Sequence, residues 1–511
     1  MRGRSALLGI AAAWCALIWL WRPAVFALPV DDAHYYIVVA QNLVSGLGWT
    51  FDGLVPTNGV HPLWVLAIAP LAALPLQIDE LVRCVLTLQV GLAVGAVLLL
   101  AAGLSRAPRV GAVGADEVPE RLKLVAALFL LHPYAAKIVL CGQESALAFA
   151  LICAALGLWL RLRAAADQPP ASAWLLLGLI TGLAPLARLE LAIFSFGLWA
   201  IELLKRSGRG RNAGALLALA PLVCWWGFSA SHFDSLIPVS GAIKIWEAPP
   251  PPLGSSVLMS LVWGGGLTWL WRQTGWRQEW APLFVLCLFV ALTSTWLLAR
   301  PLPHLWYLQP VLLLSLLAGA GMISSASPLR RRSIVLGCSV LVGFAAVGWA
   351  YRLQPGSYRI YAEQAAAGEW IAVHVPADAR VGGWDVGFLA ARARRPVTNL
   401  EGLVGDQVFF EQFLKPGQVE RFVEEAPIEW LSQYYSRSEL LAQAAGRRPL
   451  ALEGGVSPAR FRVARARCFD VRLVTAPMPT PYVQLVLSRS GPGPRFEDFL
   501  RELGRGLCRP S

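Results

Sequence analysis

Charge is scarce in this chain. Asp, Glu, Lys and Arg together make up 15% of its 511 residues, against about a quarter in a typical soluble domain. Apolar residues make up 56%, and mean hydropathy is +0.54. That balance excludes a string of soluble domains, although the length alone would accommodate about three or four. Lysine is rarer still, five of 44 basic residues. The net charge of +12 does not argue for nucleic acid, because many arginines sit at the ends of apolar runs, where they orient a membrane chain. The nine cysteines show no CxxC spacing, which excludes a zinc ribbon. Seven lie in or beside apolar runs and read as packing residues. Cys468 and Cys508 stand in a polar C-terminal region, where a pair is open to them if that region faces an oxidising compartment. There is no internal repeat and no long low-complexity linker.

What is present is a series of runs long enough to cross a bilayer, at about 5–28, 81–104, 122–141, 144–162, 212–231, 254–271, 281–299, 304–323 and 333–351. The run 173–204 is broken by Arg188 and Glu190 and reads as two short helices meeting at a polar turn. Segment 62–78 is short and proline-bounded, so it spans or lies in the interface. Ser5 to Leu28 follows Met1-Arg2-Gly3-Arg4 like a signal sequence. It is long and lacks a small-residue cleavage site, which predicts an uncleaved first helix. Gathering the arginine-rich loops on the cytoplasmic side leaves 29–61, 141–144, 187–190, 232–253, 300–304 and the tail outside. The expected architecture is a polytopic α-helical membrane domain over 1–351, with about eleven crossings, and an extracytoplasmic α/β or α+β domain over 352–511. In the tail, 357–374 reads as helix, 380–385 as a strand leading into a turn, and 461–474 and 482–487 as strands.

The polar residues without an obvious structural reason gather on the outer side. The first loop holds Asp31, Asp32, His34, Tyr35, Tyr36, Asn58 and His61. Positions 33–45 suit an amphipathic helix on the membrane surface, with Asp32, Tyr35 and Tyr36 sharing a face. Lys137, Glu144, Arg188, Glu190, Lys244 and Arg300 lie in or beside the later outer loops. Carboxylates activate a hydroxyl as general bases, while arginine and lysine hold a phosphate. Each residue also has a plainer reading. The acid pair can cap a helix, Arg188 and Glu190 can satisfy each other, Lys244 can snorkel to headgroups, and His61 can simply start a helix. The clustering on one side, rather than any one residue, favours a reaction centre.

Asp31-Asp32-Ala33-His34-Tyr35-Tyr36, Gly46-Leu47-Gly48-Trp49-Thr50-Phe51-Asp52-Gly53 and Thr57-Asn58-Gly59-Val60-His61-Pro62-Leu63-Trp64 together resemble the first outer loop of bacterial GT-C glycosyltransferases. Gly142-Gln143-Glu144-Ser145-Ala146-Leu147, Leu186 to Glu190, Phe233 to Lys244, Ala379 to Gly382, Asp385 to Gly387 and Asn399 to Leu403 follow that resemblance in order. Three positions depart from it: Glu190 and Glu401 replace a usual aspartate, and Asp234 replaces a glycine. The resemblance implies an inverting transferase that takes a sugar from a polyprenyl-phosphate donor to a hydroxyl of an envelope glycan, lipid or protein. Protein O-mannosyltransferases, aminoarabinose transferases and arabinofuranosyltransferases are the related enzymes. It implies work at the outer face of a bacterial inner membrane, with Asp31 as the proton acceptor and Asp32 sharing or orienting. Arg188 and Lys244 would stabilise the leaving phosphate, with Lys137 and Arg300 behind them. Tyr35, Asn58, His61, Glu144 and Glu190 would position sugar or acceptor. A divalent cation where Asp31, Asp32 and Glu144 converge is left open. The alternative is a flippase for a lipid-linked saccharide, which would place charge at the bilayer midplane and show paired repeats.

Overall fold

The structure is a computed structural model. It describes residues 2–105, 117–131, 139–165, 168–205, 208–247, 358–445, 461–471 and 480–505, together with 137, 356, 452 and 455–457. The four runs expected from 254 to 351, Arg300, Cys508 and the expected domain boundary at 351/352 lie outside these residues.

The membrane part is a stack of apolar helices: α1 (Arg2–Leu20), α2 (Ala24–Ala27), α3 (Asp31–Val44), α4 (Pro62–Ala72), α5 (Ile78–Leu104), α6 (Glu117–Leu131), α7 (Ser145–Ala164), α8 (Ala171–Ala187), α9 (Leu191–Lys205), α10 (Arg209–Phe233) and α11 (Val239–Glu247). Four of them, α1, α5, α7 and α10, are long and apolar enough to cross a membrane. The chain is a multi-pass membrane protein. Its helices approach closely where side chains vanish: a Cβ on Gly103 would strike Gly157, and one on Gly178 would strike Gly214. Small residues are what let apolar helices pack when lipid offers no hydrophobic penalty.

The first run is not one helix, because α1 ends at Leu20 and Pro23 precedes the short α2. Segment 62–78 holds an 11-residue helix, α4, about 16 Å long at 1.5 Å per residue and shorter than a bilayer core. The break at Arg188–Glu190 is as read from sequence: α8 ends at Ala187 and α9 begins at Leu191. Asp234, at the departure from the glycine pattern, caps α10 with φ 51. Aspartate is among the few non-glycine residues that accept this left-handed geometry.

The tail is an α/β unit. α12 (Arg359–His374) leads into β1 (Arg380–Gly383), α13 (Gly387–Ala393) and β2 (Val397–Asn399). A short turn of helix, Gln407–Phe409, runs into a π-turn at Phe410–Leu414, and Val419–Glu425 is helical. β3 (Ile428–Ser436), the helix Arg437–Ala444, β4 (Arg462–Val471), β5 (Thr480–Ser488) and the helix Phe496–Gly504 complete it. The five strands stand in the order β2-β1-β3-β5-β4. β1 pairs parallel with β2 and β3, while β5 pairs antiparallel with β3 and β4.

The tail is anchored to the membrane part through α13. Phe388 packs on His34, with ring centroids 3.9 Å apart, and stacks on Tyr361 at 4.7 Å. Arg392, 3% exposed, pairs with Asp79 of α5 at 2.5 Å, and its guanidinium lies over Phe26. One consequence overturns a sequence expectation. α3 does not lie on a membrane surface with a wet face; Ala33 to Ala40 are all buried, because the tail covers the side that the amphipathic reading left to water.

Candidate active site

The site is organised by the first turn of α3, which projects polar groups to two sides. On the tail side, Asp31 is 6% exposed. Its Oδ2 accepts from the Gly387 N–H at 2.9 Å and its Oδ1 from the Phe388 N–H at 3.0 Å. Asp31 is therefore a cap, as one reading of the acid pair allowed, but for a helix more than 350 positions away. Gly387 is required there, since a Cβ would run into the Asp31 carbonyl oxygen. One turn along α3, Asn399 Nδ2 donates to the Tyr35 hydroxyl at 3.0 Å, and that hydroxyl donates to Glu401 at 3.3 Å. Asp385 accepts from the Tyr434 hydroxyl at 2.6 Å, with Glu401 in hydrogen-bonding reach.

On the other side lies the segment 141–144. Gly142 takes φ 83 and packs its bare Cα against Ala33 and Pro29. Its N–H donates to Gln89 Oε1 at 2.9 Å, and its carbonyl accepts from Trp64 Nε1 at 3.0 Å. Gln89 also donates to the Gln143 carbonyl, and the Val30 N–H to the Cys141 carbonyl. This strapping aims Glu144, 2% exposed, at Arg188, whose Nη1 pairs with Glu144 at 2.7 Å and whose Nε pairs with Glu190 at 2.5 Å. His61 Nε2 lies 3.9 Å from Glu144. Lys244 is close enough to act on His61 electrostatically.

Asp32 joins the two sides. It is half-buried, and its charge acts on Tyr35 and Asp385 in one direction and on Tyr36 in the other. The expected shared face of Asp32, Tyr35 and Tyr36 is therefore divided. Tyr35 turns to the tail and Tyr36 to Glu144 and Arg188.

Burial and the neighbouring Asp385 charge raise the Asp31 pKa to about 7, against the pull of its two main-chain hydrogen bonds, with Asp32 adding to the rise. Burial also raises Asp385, opposed by its hydrogen bond from Tyr434.

Several expected roles change. Asn58 is committed to structure: its Nδ2 donates to Ser229 Oγ and the Ile237 carbonyl, and its Oδ1 accepts from the Val239 N–H. It fixes the turn leading into α11, which carries Lys244, rather than holding a sugar. Arg188 is committed to Glu144 and Glu190, so it lends charge to the site without an open bidentate grip. Lys137 is half-buried near Cys141. Asp31, Asp32 and Glu144 do not form a cation cage. Asp31 gives one lone pair of each oxygen to an amide and Glu144 pairs with Arg188, and no group of three such ligands exists among the described residues.

Asp385, Asn399, Glu401 and Tyr434 belong to the site although the loop chemistry did not nominate them. The signal was Asp385-Val386-Gly387 and Asn399-Leu400-Glu401-Gly402 in the tail. Gln89 was visible as a lone amide inside an apolar run.

No protein-family model matches the chain, and no curated protein sequence matches it. Solved structures do. ArnT from Cupriavidus metallidurans bound to undecaprenyl phosphate superposes with a TM-score of 0.57 at 12% identity, covering 99% of each chain. The same protein in the apo state gives 0.56 at 13%, covering 95% of this chain and 99% of that one. The oligosaccharyltransferase of Archaeoglobus fulgidus in the apo form gives 0.50 at 13%, covering 87% of this chain and 71% of that one. The chain shares the fold of these proteins.

Proposed function

We propose that this protein is an inverting glycosyltransferase. In this reading it moves a sugar from a polyprenyl-phosphate donor to a hydroxyl of a cell-envelope acceptor. The observation that carries it is the junction around α3: a carboxylate held in one orientation with its pKa near neutrality, and, across α3, a separate charged cluster in which Arg188 pairs with Glu144 and Glu190 while Lys244 acts on His61. A structure with this fold is bound to undecaprenyl phosphate, which supports a donor of that class.

The acceptor oxygen attacks the anomeric carbon as the bond from that carbon to the phosphate oxygen breaks. The acceptor proton passes to Asp31, and the electron pair leaves with the polyprenyl phosphate. Each Asp31 oxygen retains a lone pair after its main-chain hydrogen bond, and a base with a pKa near the working pH is the most effective. Asp32, at the rim, orients the hydroxyl. Lys244 meets the leaving phosphate as a point charge, with the partly neutralised Arg188 behind it, so that charge developing on the phosphate is stabilised. Tyr35 and His61 border the space for sugar and acceptor. No three His, Cys, Asp or Glu side chains converge as a cation site among the described residues, and no step here uses one.

The site is read as extracytoplasmic, at the outer face of the inner membrane. Arg161 and Arg163 lie at the end of α7 opposite Glu144, and Arg209 and Arg211 at the end of α10 opposite Ser229, the partner of Asn58, so the positive-inside rule assigns the basic ends to the cytoplasm and the site ends to the outside. Cys468 of β4 is disulfide-bonded, and disulfides persist in oxidising compartments. A donor reaching that face must come on a lipid carrier.

The test is Asp31→Asn in purified full-length protein given a polyprenyl-phosphate sugar and an envelope extract. Loss of transfer with donor binding retained supports the assignment, and undiminished transfer removes Asp31 from it. Movement of the donor across a vesicle bilayer without transfer would replace the enzyme by a flippase.

A further inference from the structure

The turn between β1 and α13 carries a strained residue. Asp385 has φ 48, a left-handed conformation that costs a non-glycine residue free energy and persists only where its surroundings enforce it. The enforcement is on hand. The Tyr434 hydroxyl donates to Asp385 Oδ2 at 2.6 Å, and Gln364 Nε2 donates to the Asp385 carbonyl at 2.6 Å. Two residues later the Gly387 and Phe388 amides both end on the Asp31 carboxylate. The loop after β2 holds the next position on the same face of α3, through Asn399 and Glu401 on Tyr35. Both loops lie at the carboxyl ends of parallel strands, where β1 is flanked by β2 on one side and β3 on the other. Such a switch point is where open α/β sheets take their ligands. Here it takes the first turn of a membrane-domain helix.

The geometry points to the tail turn Asp385–Phe388 as a positioning element of the reaction centre, fixing the Asp31 carboxylate through two main-chain N–H donors while Asp385 and Tyr434 hold the turn's shape. This rests on Asp31 being the proton acceptor. A carboxylate held at both oxygens keeps one orientation, with its remaining lone pairs aimed at one place. Freeing it costs rate rather than donor affinity, because misplacement by about 1 Å reduces turnover by about 10²-fold.

The experiment uses the full chain in detergent or nanodiscs, with a polyprenyl-phosphate sugar as donor. Gly387→Ala is expected to lower kcat about 10²-fold, and Tyr434→Phe on the order of tenfold, both with the donor KM unchanged. The exposed Arg421→Ala serves as a control. Since Gly387→Ala risks the fold, Tyr434→Phe, which removes one oxygen, decides the case alone if needed. Wild-type kcat in Tyr434→Phe overturns the inference. So does a parallel loss of kcat, donor affinity and thermal stability, which marks a merely structural contact. Amide exchange separates this inference from the enzyme reading. Slow exchange at Gly387 and Phe388 that becomes fast in Asp31→Ala demonstrates the grip without any transfer assay, and fast exchange in the wild type refutes it. Absence of transfer by wild-type protein with those amides protected defeats the glycosyltransferase reading instead.

Discussion

Arg188 and Glu144 pair at 2.7 Å with 1% and 2% of their side chains exposed. They come from the end of α8 and the start of α7, and Glu190 closes the group at 2.5 Å. Removing one member of a buried pair costs more than removing both, because it strands a charge. Arg188→Met should destabilise the protein by about 3–5 kcal/mol, and Arg188→Met with Glu144→Gln and Glu190→Gln by less. Thermal unfolding in detergent checks this, and equal losses in the single and triple variants would contradict it.

The pH dependence follows from Asp31. Its pKa rises from 3.8 to about 7 on folding, so between those values the folded chain binds a proton that the unfolded chain has released. Its contribution to stability is complete below pH 3.8 and is lost as pH rises to about 7. Transfer should run the opposite way, increasing with pH as the base ionises. A kcat/KM profile with an acid limb near neutrality is expected. Asp31→Asn should abolish transfer and remove the stability slope in that window.

Lys244 separates donor binding from the chemistry of the acids. Lys244→Ala should raise the donor KM by roughly 10- to 100-fold, the value of a charge-assisted hydrogen bond, and Lys244→Arg should recover part of it. The Asp31 acid limb should stay in place. A KM unaffected by Lys244→Ala would remove this residue from the phosphate site.

Asn58 acts at one remove. Asn58→Ala leaves the Val239 N–H without its acceptor, at a cost of about 1–3 kcal/mol, and loosens the start of α11. Lower thermal stability together with a raised donor KM is expected. Full stability with lost transfer would mean that Asn58 contacts substrate after all.

Sequence pattern located much of this fold because the relevant signals are local. The polar interruption at Arg188–Glu190 marks a helix junction, glycine and proline bound α3 and α4, and alternation in the tail marks β4 and β5. What was illegible is contact at long range. Spacing put Asp32, Tyr35 and Tyr36 on neighbouring positions of a helix, but their partners are Glu401, from the tail, and Glu144, from another loop. The amphipathic pattern of α3 promised water on one face, and only the docking of Phe388 shows that protein lies there. Asn58 looked like a sugar ligand because an unpaired amide in an outer loop has no local reason to exist. Its reason is the turn at 237–239.

The burial of Arg392 against Asp79 and of Phe388 against His34 sets the unit in which this architecture can be exchanged between relatives. A tail cut free would carry a greasy scar and an arginine parted from Asp79, and a foreign tail on this bundle would leave Asp31 with neither amide. Chimeras that trade specificity must therefore transplant the tail and the stretch from Asp31 to Asp79 as one piece, although nearly three hundred positions of chain lie between them.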